Sequence, residues 1–171
     1  MRNSLRLAAV GIAIGAASLA TSAQAAASAT ATATAEVLSS LTLTVDAGSQ
    51  LDFGQIAANT GGTVTVNADS TVSTTGALVS TGTRAPVSLT VTGSKGAMVA
   101  VTLPAAAVNL TRGGGTETMS LGGFNSSPNG SFQLDSVTGQ SSFTVGGTLT
   151  VGSNQTPGTY SGTFAVSVEY Q

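Results

Sequence analysis

The sequence predicts an all-β domain, an antiparallel sandwich, and three observations carry that expectation. Apolar and hydroxyl-bearing residues alternate with a period of two along most of the chain beyond residue 26, and no helical period competes with them. About nine short alternating runs are separated by turns rich in Gly, Asn and Ser, the spacing of a sandwich or barrel. Each run is half polar, the pattern of antiparallel sheets with one face on the core and the other in water. A transmembrane barrel would place aromatic girdles at both interfaces, whereas the chain holds five Phe, two Tyr and no Trp. No fixed repeat runs through the sequence, which sets a solenoid aside.

The elements follow in order. Ala27, Ala29, Ala31, Ala33, Ala35 and Val37 alternate with Ser, Thr and Glu, and Leu41, Leu43 and Val45 resume the same odd-numbered phase. One strand over residues 27–45 would be about 60 Å long at 3.2–3.4 Å per residue. That is several times the ordinary length, so a break or bend is expected at Leu38, Ser39 and Ser40. Residues 51–56 form a short candidate strand containing Gly54, a position for a bulge or a close backbone approach. Gly61 and Gly62 introduce a strand over 63–67, and Val87, Leu89 and Val91 share one face of residues 85–92. A turn over 93–96 leads into residues 97–103. Gly113, Gly114 and Gly115 reverse the chain between strands at 108–111 and 117–121, and residues 125–130 read as a polar loop. Strands follow at 131–137 and 142–151, the second with Phe143, Val145, Leu149 and Val151 in phase. Residues 152–158 make the last loop and 159–170 the last strand.

The N-terminus stands apart from this pattern. Arg2 and Arg6 precede an uncharged, Ala-rich run over residues 7–20, and Ala23-Gln24-Ala25 supplies the small-x-small pattern of a signal-peptidase site. About 14 apolar residues fall short of the roughly 20 that span a bilayer. The segment therefore reads as a signal peptide cleaved after Ala25, with no transmembrane segment expected in the mature chain. No Cys follows it, so no lipid anchor is expected. The expected organisation is a signal peptide over 1–25, an Ala/Thr-rich extension over 26–40 and a β-sandwich domain over 41–171. The expected location is the periplasm, the cell surface or the extracellular medium of a Gram-negative bacterium.

Composition excludes most chemistry. Beyond residue 25 three cations, Arg84, Lys95 and Arg112, face seven acids, Glu36, Asp46, Asp52, Asp69, Glu117, Asp135 and Glu169, a net charge of −4. Three scattered cations give a phosphate backbone nothing to bind, so no nucleic acid is expected. Low charge limits self-repulsion and suits a surface that packs against copies of itself, or simply a secreted domain with a neutral polar face. His is absent, which removes His-dependent triads and His-ligated metals together. Cys is absent too, but a domain of this length buries roughly 68–70% of its unfolded surface and needs no staple. Asp46 and Asp52 flank a Gly-containing turn, and two carboxylates fall short of the six to eight oxygens of a Ca²⁺ site; turn-forming Asp is the simpler account. Ser94-Lys95 lies in a Gly-flanked turn, no Gly-x-Ser-x-Gly elbow occurs, and Gly113, Gly114 and Gly115 lack the Lys of a phosphate loop. No enzyme, cofactor or metal is expected.

The end of the chain carries the most specific pattern. Tyr160, Phe164, Val166, Val168 and Tyr170 share one face, with Gly162 leaving a gap, and alternation this clean specifies one register. With Tyr170 penultimate and Gly158 fourteenth from the end, this stretch resembles the C-terminal strand of the chaperone–usher pilin superfamily. The wider pattern, Leu51-Asp52-Phe53-Gly54 early and Gly158-Thr159-Tyr160-Ser161-Gly162-Thr163-Phe164 late, is similar to a family of secreted bacterial domains of unassigned function. That similarity covers nearly the whole mature chain.

The pilin resemblance implies an incomplete Ig-like sandwich lacking one strand. The gap would be filled first by a periplasmic chaperone and then by the N-terminal extension of another copy, backbone hydrogen bonds giving affinity and alternate side chains specificity. It implies an assembly strand carrying Gly158, Tyr160, Phe164, Val166, Val168 and Tyr170, and a donor within residues 27–45 whose larger plugs are Val37, Leu41, Leu43 and Val45. Two features depart from the pilin pattern. Residues 27–35 offer only methyl groups, at about 0.8 kcal/mol per buried carbon, and the disulfide found in many pilins is missing. The expected fold is thus an Ig-like/pilin-like antiparallel sandwich. The expected role is a non-catalytic, fimbria-like or cell-surface assembly subunit; the alternative is a self-contained Ig-like module of adhesive or unknown binding role.

Overall fold

The structure, a computed structural model, describes residues 27–58 and 60–171. The expected signal peptide lies outside the described residues. The chain divides into two units, Met1–Ala35 and Glu36–Gln171. In the first, residues 27–35 are exposed and belong to no strand. The second carries thirteen strands and, among the described residues, no helix. In chain order they are β1 (Thr42–Val45), β2 (Gln55–Ala58), β3 (Gly62–Val66), β4 (Val72–Thr74), β5 (Leu78–Thr81), β6 (Val87–Thr92) and β7 (Met98–Thr102). Then come β8 (Val108–Arg112), β9 (Thr118–Ser127), β10 (Ser131–Gln133), β11 (Gln140–Val151), β12 (Tyr160–Ser161) and β13 (Ser167–Tyr170).

All pairings between these strands are antiparallel, and they build a sandwich-like arrangement. The large sheet runs β1-β6-β11-β9-β8-β12, with β3 and β4 attached to the far half of β11. At 12 residues β11 is about twice the usual strand length. One of its edges takes β6 and then β3 in succession, and the other takes β9. Its alternation explains that central place: Phe143, Val145, Leu149 and Val151 are buried, while Ser142 and Thr150 face outward. Opposite β11, β9 carries one extra residue between Asn125 and Gly122, a bulge. That bulge lets β9 continue to Ser127, through residues expected to be loop. A three-stranded sheet, β10-β7-β13, covers one half of the large sheet, and the β2–β5 pair is the third sheet.

The core follows this division. One cluster, centred on Val64, Val66, Leu121, Leu149 and Val151, is covered by Leu51, Ile56 and Ala58 together with Leu78. The other two, around Val145 with Phe143 and around Val91, Val99 and Leu134, are covered by Val101 and Val168 and by Phe132 and Tyr170.

Several expected boundaries are corrected. β4 and β5 were not expected: they are short, and Val72 and the Leu78-Val79 pair give no legible period. Residues 51–56 are not one strand. Asp52 makes a single bridge to Ala85, and pairing resumes only at Gln55. The strand expected over 131–137 stops at Gln133, because Asp135 Oδ1 accepts from the Val137 and Thr138 N–H groups and closes a turn. Of residues 27–45 only Thr42–Val45 form a strand, and residues 38–40 are unpaired but carry neither turn nor bend.

Candidate functional site

The last strand expected from the sequence is divided in two, and the division makes the site. Tyr160 and Ser161 pair with Arg112 and Thr111 of the large sheet, whereas Ser167 to Tyr170 pair with β7 of the small one. Residues 162–166 cross from one sheet to the other with no ladder partner on either edge. Phe164 anchors the crossing by packing against Phe124, ring centroids 4.8 Å apart. Gly162 lies so close to β8 that a Cβ would stand 2.8 Å from the Asn109 carbonyl oxygen. The gap that alternation shows at this position is therefore a close backbone approach.

Beside the crossing segment lies a groove of about 1000 Å³. Residues 158–166 form one wall and residues 50–56 the other. Its floor is the inner face of the large sheet: Val87 and Leu89 of β6, Leu110 of β8, Leu121 of β9 and Leu149 of β11. The floor residues are themselves buried core, so the groove reaches down to the core between the small sheet and the β2–β5 pair without exposing it. A second cleft, lined by residues 102–108, also borders Thr163, Phe164 and Ala165 of the same segment. Backbone groups need hydrogen-bond partners, and along 162–166 those not met by water are free to take another strand.

Of the residues expected on the assembly strand, Gly158, Tyr160, Phe164 and Val166 line the groove. Val168 and Tyr170 lie beyond it and pack on the cluster around Val91 and Val99. Gly158 has φ +151° and leans on the Arg112 side chain. Tyr160 is fixed through its hydroxyl, which donates to the Thr156 carbonyl at 2.7 Å and accepts from Gln155 Nε2 at 2.8 Å.

Of the residues expected in the donor, Leu41 and Leu43 pack on their own domain's core, and β1 pairs with β6. Val45 is 58% exposed at the groove rim, and Val37, 94% exposed, stands outside any strand.

The groove carries little charge. Asp52 lies on its wall, where its carboxylate accepts from the Gly54 N–H at 2.8 Å and closes a turn. Asp46 accepts from the Ser88 and Thr90 hydroxyls, in that order of strength, and they hold its carboxyl below the usual carboxylate range. No group of three or more acids able to hold a metal occurs among the described residues.

At one end of the groove Arg112 grips Glu117 with two hydrogen bonds, Nε to Oε2 at 2.8 Å and Nη2 to Oε1 at 3.2 Å. The guanidinium, aided by backbone N–H donors, lowers the Glu117 carboxyl to about 2. The pair bridges the β8–β9 turn against which Gly158 rests. A depressed folded-state value stabilises above the unfolded value of about 4.5, and that stabilisation fades as pH falls toward 2. Glu117→Gln is therefore expected to flatten the fall of melting temperature between pH 5 and pH 2. Parallel melting curves for both proteins across that window would contradict it.

Fold and groove together define a class: an antiparallel β-sandwich domain with an apolar groove beside an unpaired crossing segment. The chain belongs to the family described as Domain of unknown function (DUF4402), whose model matches residues 41–170. The match spans the strands from the start of β1 to the end of β13. No curated protein and no solved structure matches the chain.

Proposed function

We propose that this chain is an exported structural subunit that assembles with copies of itself, the groove of one copy receiving the N-terminal extension of another. The carrying observation is the crossing segment at 162–166, unpaired on both edges and standing beside a groove with an apolar lining. The extension supports the reading from the other side. Residues 27–37 alternate with strand period, are exposed, and belong to no strand of their own chain. Since Leu41 packs on the core and Leu43 and Val45 belong to β1, the donor is residues 27–38, with Val37 its largest plug. Small plugs suit a groove whose floor is finished core: the Ala methyls add about 0.8 kcal/mol each on full burial. Main-chain hydrogen bonds, about 0.5–1.5 kcal/mol net apiece, carry the rest. Export follows from the N-terminal pattern of Arg2, Arg6 and Ala23-Gln24-Ala25. Before assembly a periplasmic chaperone strand would occupy the same groove.

The absence of native Cys makes a direct test available. Ala165 lines the groove, so Ala165→Cys combined in turn with Ala29→Cys, Ala33→Cys or Val37→Cys reports where the extension lies. At least one pair should give a ladder of reducible multimers, while each single variant stops at a dimer. No ladder from any of the three pairs would overturn the reading.

A second reading, a self-contained module that folds and works alone, is favoured by two observations. No buried side-chain polar atom among the described residues lacks a partner, and Val64, Val66, Val91, Val99 and Val145 are fully buried without any added strand.

A further inference from the structure

The root of the extension is tied down. The Ser39 N–H donates to Ser94 Oγ at 2.7 Å, and the Ser39 carbonyl accepts from the Tyr170 hydroxyl at 2.8 Å. The same hydroxyl accepts from the Ser94 N–H at 2.6 Å, so Tyr170 uses both its donor and an acceptor site. Its ring packs on the cluster around Val91, Val99 and Leu134, and β13 is held by β7. Both main-chain groups of Ser39 are therefore spent on the domain's rim. Residues 36–41 pass through this clasp without turn or bend.

The clasp stands where assembly would otherwise fail. β1 and β13 are edge strands with one partner each, β6 and β7. An extension that reversed at residues 38–41 would return along its own open edge toward its own groove. Tethered so closely, it would have an effective concentration in the mM range, about a thousandfold above a second copy at micromolar concentration. A reversal there needs a β-turn, whose closing hydrogen bond and φ/ψ values compete with the bonds that Ser39 already makes.

We propose that Tyr170 and Ser94 are positioning residues that hold Ser39 straight, deny the extension its own groove and so direct it into the groove of a second copy. This rests on the groove reading above. It assigns the penultimate Tyr to steering rather than to lining the groove.

The test uses the full mature chain, residues 26–171, carrying whichever cysteine pair gives the ladder. Adding Tyr170→Phe, or separately Ser94→Ala, should convert the ladder into internally linked monomer, with about tenfold or greater loss of multimers at micromolar protein. Ser94→Thr restores the hydroxyl and should keep the ladder. A purely structural role would alter melting temperature without moving the cross-link from between chains to within one. Should Tyr170→Phe fail to fold, Ser94→Ala carries the test alone. A ladder unchanged in both variants overturns the clasp and leaves the groove standing; no cross-link in any background overturns the groove and the clasp with it.

Discussion

Gly146→Ala should leave little or no folded domain. Gly146 is buried in β11, where the partner on one edge changes from β6 to β3. A Cβ there would press into main-chain atoms of Val66, Asn67 and Ala68, the Asn67 carbonyl carbon standing at 2.6 Å. These atoms have nowhere to go. The Ala68 N–H donates to Asn125 Oδ1 and the Ala68 carbonyl accepts from Thr144 Oγ1, each at 2.7 Å. Ordinary overpacking costs about 1–3 kcal/mol because side chains yield. Here the backbone must move and take the β3–β11 register with it, so the expected loss is about 4 kcal/mol or more. Against a total of about 5–15 kcal/mol, such a loss is decisive. Gly114→Ala is the control. It has open space around it and φ +74°, so it carries only the backbone penalty, about 1–2 kcal/mol. Thermal melts followed by circular dichroism compare the two. Equal melting temperatures would contradict the steric account.

Much of the fold was legible because burial and period coincide in its central strands. Val87, Leu89 and Val91 of β6 and Phe143, Val145, Leu149 and Val151 of β11 are buried in the phase that their spacing predicts. Where tertiary contacts decide, the pattern is silent. β5 is held by β2 and buries Leu78 alone, so nothing in its own four residues marks it. At the candidate site the sequence was half readable. Alternation from Tyr160 to Tyr170 shows which side chains turn inward, yet it is blind to whether the backbone has a partner. Residues 162–166 therefore looked like ladder and are a bare crossing. Residues 27–37 show the opposite case, since strand period without bulky side chains buries too little to order a strand alone. Gly162 was readable as a gap, but the Asn109 carbonyl that requires it lies 53 positions away in sequence and belongs to the packing. The Ser39–Ser94–Tyr170 clasp joins residues as far as 131 positions apart, and no local signal announces it.

Removing residues 26–40 is the second change with a large expected effect. It leaves β1 intact, since the strand begins at Thr42 and Leu41 and Leu43 stay on the core. The domain should fold with its groove empty, while assembly loses its donor entirely. The outcome is close to all-or-none, because the truncation removes the whole of residues 27–38 that the proposal names as donor.

Size-exclusion chromatography with light scattering on residues 26–171, beside residues 41–171, tests the central claim most directly. Strand exchange predicts multimers resistant to SDS from the longer chain and a folded monomer from the shorter one. Monomers from both, equally stable to heat, would contradict it and leave a domain that works alone.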